Sequence, residues 1–359
     1  MQAYTNLLPI VEPLLDWYEQ NKRSLPWRKT PSPYHVWISE IMLQQTRIEA
    51  VIPYYERFLN VCPTVEALAT IDDDKLMKLW EGLGYYSRAR NLKRAAIVMM
   101  QQHGGDLPAD YRALLSLPGI GPYTAGAIAS IAFGLPEPAV DGNVLRVVTR
   151  LTADDSDVTK ESTKQHITAL LRTIYPRSEA EAGAMTQALM ELGERVCLPN
   201  GAPRCQECPL GAFCPARAQG LTDRIPNRPP KKARSVQEKT VLVLLDGDKV
   251  ALRKRPDRGL LAGLWEFVSL EGHLSGDVVE QYLKECGIEA AQIQQIPDAI
   301  HIFTHVEWNM KGYLVLCGNV DPSSPLCWAT RRQLQEAYAL PTAYSAQLRF
   351  LEQFWDGET

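Results

Sequence analysis

The sequence predicts a multidomain chain, an all-α domain followed by an α+β domain. Three observations predict it. The hydrophobic period changes from three-to-four to two near residue 221. A basic, proline-containing stretch marks the change. The length, 359 residues, matches two domains at roughly 100–200 residues each.

From Leu7 to about Ala218, apolar residues recur at helical spacing in 36–48, 76–79, 92–100, 125–131, 144–151, 167–174 and 185–196. Short Pro/Gly breaks separate them, as at Leu107-Pro108. Residues 221–235 follow as a linker. Pro226, Pro229 and Pro230 hold it extended, and Arg224, Arg228, Lys231, Lys232 and Arg234 face one acid, Asp223. Such a segment is either a solvated tether or a contact for a polyanion backbone. Strand-like runs come next, at 240–245, 250–253, 264–270, 299–306 and 312–316, with helical stretches at 276–286 and 343–354. The expected domains are therefore 1–220 and 236–359.

No run approaches the roughly 20 apolar residues of a membrane helix, and residues 1–18, with Glu12 and Asp16, do not read as a signal peptide. A net charge of −4 argues against a general polyanion binder. It leaves room for one basic face, and backbone N–H groups also hold phosphates.

Four of the eight cysteines, Cys197, Cys205, Cys208 and Cys214, form a C-x7-C-x2-C-x5-C cluster within 18 residues. With no secretory signal, clustering points to a metal site rather than to disulfides. One C-x2-C pair falls short of a zinc ribbon's two, and four thiolates packed after a helix fit an iron–sulfur cubane better, with zinc the alternative. The string LPGIGPYTAGAI at 117–128 sets Gly119 and Gly121 just before an apolar helix. Glycines permit close backbone approach, and a helix start offers outward N–H groups to an anion.

Two carboxylates stand out. Glu40 is embedded in the apolar run VWISEIMLQQT at 36–46. If buried, its pKa rises and it becomes a general acid; otherwise it marks a solvent edge. Asp141, in VDGNV at 140–144, precedes an apolar helix and reads first as an N-cap, a geometry compatible with catalysis because it holds the side chain still.

Together these strings resemble the helix-hairpin-helix base-excision glycosylases, and within them the MutY-type adenine DNA glycosylases. The resemblance rests on SEIMLQQT at 39–46, GLGYYSRARNL at 82–92, LPGIGPYTAGAI, VDGNV, the four cysteines and FTH at 303–305, and it covers nearly the whole chain. It implies a helix-hairpin-helix glycosylase domain whose loop at 197–214 carries a [4Fe–4S] cluster, and a Nudix-like domain at 236–359. Glu40 and Asp141 match the family's catalytic carboxylates, with Tyr123 and Asn143 beside them. Arg23 and Trp27 match residues lining the adenine pocket. Gln45 and Tyr85, with Leu43 nearby, match residues entering the base stack, and Phe303, Thr304 and His305 match a loop that reads 8-oxoguanine. Gly119 and Gly121 would hold the DNA backbone.

The implied partner is double-stranded DNA with A:8-oxoguanine or A:G mispairs, and the implied enzyme a monomer, cytoplasmic and nucleoid-associated in a bacterium. In the related endonuclease III group a lysine at position 123 forms an imine; Tyr123 cannot, so base removal without strand cleavage is expected. The sequence departs from the family twice. Seven residues, not the usual six, separate Cys197 from Cys205, and Thr304 replaces the usual serine. The second domain lacks the glutamate-rich metal helix of MutT hydrolases: residues 276–286 read GDVVEQYLKEC. A recognition module without hydrolase activity is expected.

Overall fold

The computed structural model describes residues 7–29, 31–230, 233–321 and 324–357. Its contacts group into two units: residues 1–70 with 90–230, and residues 71–89 with 231–359. Residues 71–89, inside the expected first domain, group here with the second unit.

The first unit is helical. Its middle helix, Pro33–Leu43, is capped by Ser32, which accepts from His35 N at 3.1 Å, and Pro33 starts it with φ already set. All but one of residues 34–42 are buried, so this helix is covered all round and runs through the interior, Ser39 and Glu40 included. It stops at Leu43, short of the expected residue 48, because Gln45 takes a left-handed φ of 60° in the following turn. The next helix, Ile48–Val61, carries Pro53 inside it, and the proline masked its periodicity. Helices Val11–Asn21, Gly142–Thr152, Glu161–Arg172 and Glu179–Arg195 close over a core of Leu14, Val148, Leu171, Met185 and Leu189.

Part of the expected linker is anchored on this unit. Arg150 Nε and Nη2 donate to the carbonyls of Ile225 and Thr222 at 2.8 and 2.7 Å. Asn227 pairs with Asp157, and its amide donates to Asp155 O at 2.9 Å. A free tether does not describe residues 221–227. Lys231 and Lys232 lie outside the described residues.

The second unit is a mixed seven-stranded sheet: β1 (Ser235–Asp246), β2 (Lys249–Lys254), β3 (Trp265–Glu266), β4 (Val268–Glu271), β5 (Ile288–Ile302), β6 (Val306–Val320) and β7 (Cys327–Thr330). The order is β3-β2-β1-β6-β5, with β4 also on β1 and β7 also on β2; β1 and β6 run parallel. Central β1 is buried on both faces. Val241, Val243 and Leu245 join one core and Leu242 and Leu244 the other, which explains its unbroken apolar run. The expected strand at 299–306 is instead two strands meeting at a hairpin tip. β5 ends at Ile302, Phe303 N donates to Val306 O at 2.8 Å, and β6 begins. Phe-Thr-His has no glycine or proline to announce a turn. Likewise the run at 264–270 splits at Phe267, whose ring fills the core.

Residues 71–89 are fastened to this unit by named contacts. Asp74 Oδ1 accepts from Lys254 Nζ at 2.8 Å and Trp265 Nε1 at 3.3 Å. Lys78 Nζ donates to the carbonyls of Leu334 and Tyr338, and Glu81 Oε1 accepts from Leu340 N at 2.8 Å. Among the described residues no helix is long and apolar enough to cross a membrane.

Candidate active site

The first unit holds a cavity of about 660 Å3. Glu40, Tyr123, Asp141, Asn143, Arg23, Trp27 and Leu43 all line it. Residues from four separate sequence strings thus face one space.

Glu40 sits on the buried helix Pro33–Leu43 and is 6% exposed, so the solvent-edge alternative does not hold. Burial pushes its carboxyl up to about 7. Tyr123 Oη, donating to Oε2 at 2.5 Å, opposes the shift; the Asp141 charge adds to it, and Arg28 opposes it. Tyr123 projects from the second turn-forming position of helix Pro122–Phe133, and burial beside two carboxylates keeps its phenol protonated.

Asp141 is the N-cap of helix Gly142–Thr152. Oδ1 accepts from Val144 N at 2.8 Å, and Oδ2 from Asn143 Nδ2 at 2.7 Å. Cap and cavity residue are one and the same. Burial raises its pKa, while the hydrogen bonds from Val144 and Asn143 and the charge of Arg146 work against that rise. Asn143 is itself held from behind: Arg146 Nη2 donates to Asn143 Oδ1 at 2.9 Å and to Gly193 O at 2.7 Å. Gly193 permits this approach, since a Cβ there would stand 2.6 Å from Asn143 Cβ.

One wall was not foreseen. Arg28, Gln187 and Glu191 line the cavity with Met190. The Glu191 side chain is fully buried between Arg23 and Arg28, which bond its oxygens at 2.5 and 3.0 Å, and these cations hold its carboxyl below the usual range. Arg28 Nε also donates to Gln187 Oε1 at 2.9 Å. Trp27 meets Tyr55 edge to face, with ring centroids 5.4 Å apart.

Other expected residues stand elsewhere. Gln45 is exposed on the turn after the buried helix and does not line the cavity. Gly119 and Gly121 form the turn between helices Tyr111–Ser116 and Pro122–Phe133, also outside it. Gly119 has φ 78°, and a Cβ there would meet Asn91 Cβ at 2.5 Å, so the hairpin requires glycine. Tyr85, Phe303, Thr304 and His305 belong to the second unit, where Tyr85 Oη and Thr304 Oγ1 share a hydrogen bond of 2.9 Å.

Cys197, Cys205, Cys208 and Cys214 line a second, apolar cavity of about 30 Å3 in the first unit, together with Arg150 and Arg217. All four are free thiols. Arg150 Nη1 donates to Cys197 Sγ at 3.2 Å, and Arg146 Nε to Cys197 O at 2.6 Å. Burial pushes the Cys208 thiol up to about 11. Among the described residues no group of three or more His, Cys, Asp or Glu is arranged around a single ion.

Residues 38–173 match the HhH-GPD superfamily of base excision DNA repair proteins, and residues 240–349 match a NUDIX domain. The adenine DNA glycosylase of Mus musculus is 35% identical over 405 residues, covering 96% of this chain and 78% of the mouse protein. That of Rattus norvegicus is 34% identical over 402 residues, covering 95% and 77%. Among solved structures, a thermostable thymine-DNA glycosylase superposes with a TM-score of 0.53 at 27% identity, covering 59% of this chain and 96% of that one.

Proposed function

The chain belongs to the adenine DNA glycosylases, and from that premise we propose that it hydrolyses the N-glycosidic bond of adenine mispaired with 8-oxoguanine or guanine in duplex DNA. The observation that carries this reading is a buried carboxyl, Glu40, lining one cavity with a second carboxyl, Asp141, its burial pushing it up to about 7. A base must leave the stack to reach such a cavity, which costs a few kcal/mol. Glu40, half protonated near neutrality, gives its proton to adenine N7 and makes the base a better leaving group. Asp141 stabilises the positive charge that develops on the sugar, by ion pairing or transient attachment, as paired carboxylates do in glycosidases. Its hydrogen bonds to Val144 and Asn143 keep it aimed. A water activated by Glu40 completes the hydrolysis.

The wall of Arg28, Gln187 and Glu191 supplies polar groups to the base, with Arg23 and Trp27 beside it. Tyr123 cannot form an imine, so base removal proceeds without strand scission. Gln45 and Tyr85 enter the stack, the Gly119–Gly121 hairpin holds phosphate, and Phe303, Thr304 and His305 read the base opposite adenine. Without the glutamate-rich helix, the second unit serves recognition and not hydrolysis. The enzyme acts as a monomer.

The four cysteines fit a [4Fe–4S] cluster. They are free thiols around one apolar cavity with guanidinium groups alongside, and a cluster held there by the four would cross-link residues 197–214. Arg146 and Arg150 tie this loop to the helix that Asp141 caps.

The test is single-turnover excision from A:8-oxoguanine, A:G and A:T duplexes, with and without alkali. Product from the first two alone, visible only after alkali, is expected. Equal excision from A:T, or strand cleavage without alkali, overturns the reading.

A further inference from the structure

Tyr85 and Thr304 are 219 residues apart, yet their hydroxyl oxygens lie 2.9 Å from each other inside the second unit. Each end of this hydrogen bond is separately stiffened. On the Tyr85 side, Gly82, Gly84 and Tyr85 all have left-handed φ, at 97°, 68° and 48°. That turn is clamped through its carbonyls: Trp80 Nε1 and Arg88 Nη2 both donate to Gly84 O at 3.1 Å, and Arg88 Nη2 reaches Leu83 O at 3.0 Å. The Arg88 guanidinium lies 5.5 Å from the Tyr85 ring centroid.

On the other side the hairpin tip is pinned at both flanks. Arg234 Nε donates to Phe303 O and Ser235 N to His305 O, each at 3.1 Å. The Phe303 ring packs edge-on against Trp308, 4.9 Å between centroids. Thr304 itself is exposed at the tip. Its side chain has staggered χ1 choices that burial does not narrow. The hydrogen bond to Tyr85 is therefore what selects one of them.

From this geometry we infer that Tyr85 is a positioning residue for Thr304, its hydroxyl fixing where the threonine hydroxyl points when the tip meets the base opposite adenine. The inference rests on the reading of Thr304 as a lesion contact. The chemistry makes direction matter. Guanine presents an acceptor at N7, whereas 8-oxoguanine presents an N–H donor there and an added carbonyl at C8. A freely rotating hydroxyl meets either edge; one held in a single rotamer presents its lone pair and its proton at defined places and distinguishes them. Threonine in place of serine sharpens the need, because the methyl and hydroxyl compete for the same positions and the wrong rotamer turns a methyl toward the base.

The experiment is the ratio of single-turnover excision rates on A:8-oxoguanine and A:G duplexes, for the unaltered protein, Tyr85→Phe, Thr304→Val and the double variant. Phenylalanine keeps the ring and removes only the hydroxyl. Tyr85→Phe is expected to lower the ratio roughly tenfold, the value of a hydrogen bond of about 1.4 kcal/mol. Thr304→Val lowers it at least as far, and the double variant matches Thr304→Val alone, because the two residues act through one hydroxyl. A Tyr85→Phe ratio equal to that of the unaltered protein, with Thr304→Val reduced, overturns the inference and leaves the lesion reading standing. Losses that multiply in the double variant also overturn it. An undiminished ratio in Thr304→Val overturns the lesion reading and the inference with it.

Discussion

The cavity of the first unit and the hairpin tip of the second solve opposite problems with polar groups. In the cavity, carboxylates are withdrawn from water, so their ionisation is the adjustable quantity: Glu40 is pushed to about 7, and Asp141 is raised while fixed amide donors oppose the shift. At the tip, the hydroxyls of Tyr85 and Thr304 stay at the surface, and what is adjusted there is direction. The lesson is a division of labour. Proton transfer calls for burial, because burial moves a pKa by units. Reading a base edge calls for exposure backed by rigid support.

The largest expected losses are on the cavity side. Glu40→Gln removes the proton donor while keeping shape, and single-turnover excision is expected to fall by about 10²–10⁴-fold, the range of general acid catalysis. Duplex binding, read by gel shift, is retained. Turnover at the normal rate sinks the acid assignment. Asp141→Asn follows, with an expected loss of about 10²–10³-fold, the scale of removing one preorganised electrostatic contact. Asparagine caps a helix as well as aspartate, so the melting temperature stays within a degree or two while the rate falls. A variant that loses stability instead of rate reduces Asp141 to a cap.

On the reading side, Thr304→Val is expected to lower the preference for A:8-oxoguanine over A:G roughly tenfold and to leave the pH dependence of excision in place. A shifted pH profile in that variant contradicts the separation of tasks. The smallest effect sharpens the cavity side. Tyr123 Oη donates to Glu40, which favours the carboxylate and lowers its pKa. Tyr123→Phe therefore raises the Glu40 pKa, and the alkaline limb of the rate profile moves to higher pH. A limb moving lower has the wrong sign for this hydrogen bond.

How much of this was legible in the sequence depended on whether the signal was local. Ser32-Pro33 and Asp141-Gly142 announce helix starts, and the strings around Glu40, Tyr123 and Asp141 named side chains that do face one cavity. Glu191 was missed because it sits in helix Glu179–Arg195 among Glu194 and Arg195, where it reads as one more solvent-facing charge. Only its long-range pairing with Arg23 and Arg28, more than 160 residues earlier, shows it buried. Residues 71–89 group with the second unit through contacts equally remote in sequence. Asp74, Lys78 and Glu81 look like an ordinary exposed helix face until Lys254, Leu334 and Leu340 meet them. The tip at 303–305 was hidden by strand-compatible residues, and most of β5 by Pro297-Asp298 and three register shifts.

The most direct measurement is the single-turnover rate of adenine excision from an A:8-oxoguanine duplex between pH 5 and 9. Glu40 acts in its protonated form, and that form is lost as pH rises through its pKa. The rate should therefore fall about tenfold per unit above roughly pH 7. In Glu40→Gln that limb should vanish along with most of the rate. A wild-type profile flat to pH 9, or the same limb persisting in Glu40→Gln, would contradict a buried Glu40 as the proton donor.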